Sequence, residues 1–132
     1  MQYVLVDHLA HREPLEDSRH AVEQFDDTIS EILPHGMSGQ TVWIEPEEPE
    51  GAGLRVDIDI DVNRAALTWM ADDTIGVELE PGPPITVMWS VDAPRITVPG
   101  TVARVSVETA RRAVADYVAT GHRPALVCWT RR

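Results

Sequence analysis

Leu54-Arg55-Val56-Asp57-Ile58-Asp59-Ile60-Asp61-Val62 is the stretch on which the fold turns. Leu54, Val56, Ile58, Ile60 and Val62 alternate with Arg55, Asp57, Asp59 and Asp61, so one set is aliphatic and the other charged. Successive side chains of a strand point to opposite faces. The pattern therefore predicts a half-buried strand of an antiparallel sheet, with its acids in water. Downstream, Asn63-Arg64 turns the chain into Ala65-Ala66-Leu67-Thr68-Trp69, and Asp72-Asp73 turns it again before Ile75, Val77 and Leu79. Pro81-Gly82-Pro83-Pro84 breaks the chain ahead of a strand at Ile85-Thr86-Val87-Met88-Trp89. Upstream, Thr41-Val42-Trp43-Ile44 reads as a strand, and Tyr3-Val4-Leu5-Val6 as a short opening one.

Two helices flank this meander. Asp17 or Ser18 caps the first, which carries Val22, Phe25, Ile29 and Ile32/Leu33 at helical spacing and is ended by Pro34-His35-Gly36. Its polar side holds Glu23, Asp26, Asp27 and Glu31, a negative stripe. Ser106 caps the second, with Ala110, Ala113, Val114, Tyr117 and Val118 as the packing face and Gly121 as the stop. A last apolar strand runs from Ala125 to Thr130. The expected architecture is α+β: an antiparallel meander sheet of about five to seven strands with two helices packed on one face. At 132 residues, without repeat or linker, the chain reads as a single domain over 1–132.

Charge narrows the partners. The net charge is −11, every one of the 11 basic residues is arginine, and the chain has no lysine. Residues 1–102 hold 20 acids and 5 arginines, whereas residues 103–132 hold 2 acids and 6 arginines. Such a protein repels nucleic acid and anionic membranes and attracts a basic partner. Two acidic features are candidate partner-binding elements. One is the alternating set Asp57, Asp59 and Asp61. The other is Glu45-Pro46-Glu47-Glu48-Pro49-Glu50-Gly51, where Glu45, Glu47, Glu48 and Glu50 lie in an extended loop set by two prolines. Solvated surfaces with no partner are the bland alternative for both. Trp43, just before that loop, is a candidate aromatic anchor, with the core as its other destination.

Catalytic signatures are scarce. The chain has no Walker loop, no GxSxG elbow and no dinucleotide fingerprint, and Gly51-Ala52-Gly53 sits in an acidic turn that would repel phosphate. A single cysteine, Cys128, excludes an internal disulfide framework and the zinc-deaminase signature; on its strand it is expected to be buried or semi-buried. His8 and His11, beside Asp7, form an HxxH pair without a third ligand and read as a surface loop, so no metal or other cofactor is expected. No run of apolar residues approaches a membrane span, and Met1 leads into neither a signal nor a transit peptide, which makes the cytoplasm the expected location.

The segment from Arg104 to Trp129, with Thr120, Gly121, Arg123 and Pro124 between a helix and a closing strand, resembles the C-terminal signature of the first-numbered immunity protein family of bacterial polymorphic toxin systems. Gly53-Leu54-Arg55-Val56 and Ala66-Leu67-Thr68-Trp69 are similar to that family's central strands. The resemblance implies a mostly β, helix-flanked domain that neutralises a cognate toxin, often a nucleic-acid deaminase, and it supplies no catalytic residues, which leans away from an enzyme without deciding the question. Glycine ends the helix, proline keeps it from resuming and tryptophan closes the core, so these positions read as scaffold. The acidic surplus agrees, because an inhibitor of a nucleic-acid enzyme must fill a basic cleft. The alternative is an orphan relative serving as an enzyme or small-ligand-binding protein in secondary metabolism. The exposed edge of the meander also offers pairing with a second copy as a homodimer.

Overall fold

The structure, a computed structural model, describes residues 2–31, 33, 37–48 and 53–132. A hairpin of β1 (Tyr3–Val6) and β2 (Arg12–Leu15) leads into α1 (Ser18–Ile29). The strands β3 (Gln40–Pro46), β4 (Leu54–Asp59), β5 (Arg64–Trp69) and β6 (Thr74–Val77) follow. A crossing segment with β7 (Ile85–Val87) and β8 (Ile96–Val98) reaches α2 (Val107–Thr120), and β9 (Cys128–Arg131) closes the chain. Seven strands form one antiparallel sheet in the order β2-β1-β3-β4-β5-β6-β9; β7 and β8 pair in a small second sheet. The α+β architecture is the one the hydrophobic periods predict.

Register sorts the sheet into two faces. Val42 stands opposite Val56, which stands opposite Leu67, and Ile44 opposite Leu54. These residues, with Tyr3, Leu5 and Ile58, pack against Phe25 and Ile29 of α1 and Ala110, Val114 and Tyr117 of α2. Phe25 is 0% exposed, and its removal alone would cost about 3–5 kcal/mol. Helix ends follow local chemistry. Asp17 accepts the His20 N–H at 2.8 Å, while the His20 ring accepts the Glu16 N–H at 3.1 Å, a reciprocal cap. Ser106 accepts the Thr109 N–H at 3.1 Å. Gly121 ends α2 in the left-handed region at φ 74°, its N–H on the Tyr117 carbonyl at 2.7 Å. A β-carbon there would also lie 2.8 Å from the Tyr3 hydroxyl.

Several details differ from the expectations. The strand opened by Leu54 stops at Asp59, and 60–63 is a turn with Asn63 at φ 57°, leaving Ile60 and Val62 exposed. The reverse face is not open to water along its length. The strand at Ile85 leaves the meander, pairs with the unforeseen β8 and lies across that face, where Ile85, Val87 and Val98 pack on Ala66 and Ala103. Backbone approach there is close: Thr41 N–H reaches the Met88 carbonyl at 3.1 Å and Met88 N–H the Gly39 carbonyl at 3.0 Å. β2 is an element the sequence reading does not contain; it holds Pro14, and a residue without an N–H is tolerated on a sheet edge. Leu33 is buried, whereas the Pro34-His35-Gly36 stop and Ile32 lie outside the described residues. Cys128 is exposed on the edge strand β9, and His8 is buried instead of lying in a surface loop.

Candidate functional site

The acids of β4 occupy the reverse face, as alternation requires, but the crossing segment takes them into the interior. Asp57 is 3% exposed; it accepts the Thr41 hydroxyl at 2.6 Å and contacts from Arg55 Nε and Nη2 at 3.2–3.3 Å. Asp59 is also buried, held by the Ser38 hydroxyl and by the Asp61 N–H at 3.0 Å. Asp61 lies on the exposed turn, its Oδ2 2.9 Å from the same Ser38 hydroxyl, which has one hydrogen for the two carboxylates. The expected ladder of solvated acids is therefore corrected. Asp57 and Asp59 satisfy polar groups of the fold, because β7 covers their side of the sheet, and only Asp61 of the three faces water.

The glutamates sit elsewhere. Glu45 and Pro46 belong to β3, so the expected loop begins two residues later than its prolines suggested. Glu45 is half-buried opposite Val4, with Arg12 at 3.9 Å. Glu47 and Glu48 are exposed, and Glu47 N–H is anchored on the Gln2 carbonyl at 2.8 Å. Glu50 lies outside the described residues. Tyr3 pairs with Leu15 on one side and Pro46 on the other. Glu16 and Asp17 therefore leave the sheet at the same end as Glu47 and Glu48, about 10 Å away at two strand spacings. Sequence reasoning missed Glu16 as a neighbour of this loop because it missed β2. The alternation of Glu13 with Pro14 and Leu15 is too short a signal. Asp61 stands at the other end of β4, so the two sets of candidate acids are not one surface.

Arginine placement decides the electrostatics. Arg12, Arg19, Arg55, Arg111, Arg123 and Arg132 pair with Glu45, Glu23, Asp57, Asp26, Asp72 and Asp73. Arg64 donates to the Glu80 and Ala103 carbonyls at 2.9 and 3.3 Å, and Arg104 to the Leu79 carbonyl at 2.8 Å. The Arg111–Asp26 pair also interrupts the negative stripe expected on α1. Among the described residues, the exposed Glu13, Glu16, Asp27, Glu31, Glu47, Glu48 and Asp61 have no cationic partner. Glu78 is committed to the fold. Burial would raise its pKa, but the Thr109 hydroxyl and the Ser106 N–H bind its carboxylate and hold it below the usual range. Burial pushes the Tyr117 hydroxyl well above its ordinary range, in keeping with its place beneath Tyr3 and Trp69.

His8 and His11 diverge: His8 is buried, while His11 is exposed with its ring 3.1 Å from Asp7 Oδ2. Among the described residues no three His, Cys, Asp or Glu side chains are grouped to hold a metal ion, and no helix is long and apolar enough to cross a membrane. The α2–β9 signature serves the scaffold. Thr120 accepts the His122 N–H at 3.1 Å, Pro124 is buried, and Trp129 Nε1 donates to the Pro124 carbonyl at 2.7 Å beneath the Arg123 guanidinium. Trp43 is half-buried on the reverse face, outside both packed cores, with Arg55 5.6 Å from its ring.

Fold and surface together define a small acidic α+β domain in which eight of the 11 arginines have acceptors within the chain and in which, among the described residues, several exposed carboxylates have no cationic partner. The family model of Immunity protein Imm1 matches residues 18–131, and the chain belongs to that family. Its function class is that of an immunity protein, which binds and neutralises a toxin. The match begins at α1, so the β1–β2 hairpin lies outside the matched residues. No match was found among curated proteins or among solved structures.

Proposed function

We propose that this chain, acting as one domain over residues 1–132 in the cytoplasm of a toxin-producing cell, neutralises a nucleic-acid-directed toxin of the deaminase kind from a polymorphic toxin system by covering its basic cleft. The observation that carries this reading is the partition of charge: most arginines are turned to the fold's own acceptors, while Glu13, Glu16, Glu47 and Glu48 at the β1–β2–β3 end have no cationic partner among the described residues. An enzyme that acts on nucleic acid lines its cleft with cations aimed at phosphates, and a rigid acidic surface competes for the same groups. Glu47 and Glu48, extended by Glu16 and bordered by Glu45, supply that surface; Glu50 belongs to the reading by its place in the sequence alone, and Asp61 offers a separate contact. Asp57 and Asp59 act on the fold and not on the contact. A standard interface takes about 800 Å² from each partner. This chain exposes 6,925 Å², so such a contact uses a modest share of it.

Long-range attraction then raises the association rate by about 10–10³-fold, while packed side chains set the lifetime of the complex. The test uses the toxin domain encoded beside this gene, with stopped-flow association measured from low to physiological salt. The rate falls steeply as salt rises, and stoichiometric protein abolishes deamination of a DNA or RNA substrate. A rate flat across that range removes the electrostatic reading, and full toxin activity at stoichiometric protein removes the occlusion.

A further inference from the structure

The reverse face of the sheet is covered only in part. Beside β7, where β1 and β3 emerge from beneath the crossing segment, lies a groove of about 350 Å³. Trp43 and Trp89 line it together with Val6, His8, Arg12 and Glu45. A larger hollow along α2, lined by Arg112, Ala115 and Asp116, has neither an aromatic wall nor a buried polar atom lacking a partner. The groove has both. Trp89 is 39% exposed, more than is usual for an indole. His8 is 5% exposed, and its Nδ1 has no hydrogen-bond partner among the described residues. That is a demand the fold leaves unmet.

The chemistry of the lining is that of a cation acceptor. Indole faces attract guanidinium and ammonium groups, and Trp43 already holds the Arg55 guanidinium at 5.6 Å. Glu45 supplies a carboxylate whose present partner is loosely held. Arg12 stands 3.9 Å away, beyond hydrogen-bond length, with its own side chain more than half in water and that of Glu45 about two-fifths. Guanidinium is all donor and planar, so it suits two indoles and a carboxylate better than any neutral side chain does.

We propose that this groove is the anchor pocket of the interface, receiving one cationic side chain of the toxin, an arginine, between Trp43 and Trp89 with its charge on Glu45. The assignment rests on the toxin-binding reading above and deepens it, since it names the group that holds where the outer glutamates steer. Fully desolvated aromatic and arginine contacts of this kind dominate interface energetics. The groove also joins β3, inside the family match, to the β1–β2 hairpin outside it.

The experiment compares toxin affinity and rates, by biolayer interferometry at physiological salt, for the full chain and for the variants Trp89→Ala, Glu45→Gln and the pair Glu47→Gln/Glu48→Gln. Circular dichroism confirms that each is folded. Trp89 and Glu45 lie at the surface or its margin, and Glu45→Gln preserves shape. Both single variants are expected to weaken binding by tenfold or more through faster dissociation, and the rim pair to slow association alone. Affinities within twofold of the parent for both single variants overturn the pocket while leaving the immunity reading intact. Loss with Trp89→Ala but none with Glu45→Gln overturns the cationic occupant. A parent protein that fails to bind the toxin overturns the immunity reading itself.

Discussion

Replacing Asp57 by alanine separates an interior acid from an interfacial one. The carboxylate is 3% exposed, and its removal strands the Thr41 hydroxyl at one side and the Arg55 guanidinium at the other. Breaking a buried, hydrogen-bonded ion pair from one side costs about 3–5 kcal/mol, because a desolvated charge is left behind. Arg55 keeps a quarter of its side chain in water and a second contact on Trp43. The lower end, about 3 kcal/mol, therefore applies. Against a typical domain stability of about 5–15 kcal/mol that is a large fraction. At roughly 3–5 °C per kcal/mol for a domain between the small and medium classes, melting falls by about 10–15 °C. Asp57→Asn, which can still accept from Thr41, loses less. The assay is thermal unfolding by circular dichroism, paired with toxin affinity measured well below the melting point, where the variant is expected to bind like the parent. An alanine variant that melts within about 2 °C of the parent and binds toxin poorly refutes the interior role.

Gly39→Ala should destabilise the chain, since its β-carbon would lie 1.8 Å from the Thr86 carbonyl oxygen and β7 would have to move off the sheet. A loss of at least about 1–3 kcal/mol is expected in chemical denaturation, and an unchanged midpoint would contradict the close approach. Glu78→Gln should matter at neutral pH and not in acid. The Glu78 carboxyl titrates below its ordinary value of 4.5 when folded, so its contribution is complete above that value and disappears as pH falls through the folded one. Parent and variant melting curves measured from pH 7 downward should converge once the pH has fallen through the folded carboxyl's own lowered titration, and a constant gap down to that point and beyond would sink the tether between β6 and α2.

The sheet was legible wherever a strand is half in water or lies beside a recognisable turn. Leu54, Val56 and Ile58 announced β4, and Asn63 and Asp73, both at positive φ, announced the turns that follow β4 and β5. The helix caps Asp17, Ser106 and Gly121 were equally visible. What the residues did not disclose is long-range. No local pattern says that the strand at Ile85 folds back across Asp57 and Ala66, so charged side chains spaced for solvent became interior partners. Arg55 and Thr41 are the matching clue, but they match only once the register Thr41–Asp57 is known. The candidate site divides in the same way. Glu47 and Glu48 were readable as surface from their prolines and lack of apolar neighbours. The groove needs Trp89, His8 and Trp43 together, three residues from segments far apart in the chain.

Cys128 is the single thiol of the chain and is solvent-exposed on β9, at the opposite edge of the sheet from β2. Four strand spacings, about 19 Å, separate β9 from β3. One maleimide dye coupled there marks every molecule once, at a fixed distance from Trp43 and with no engineered cysteine. The native protein thus carries its own attachment point for single-molecule and anisotropy titrations with the toxin.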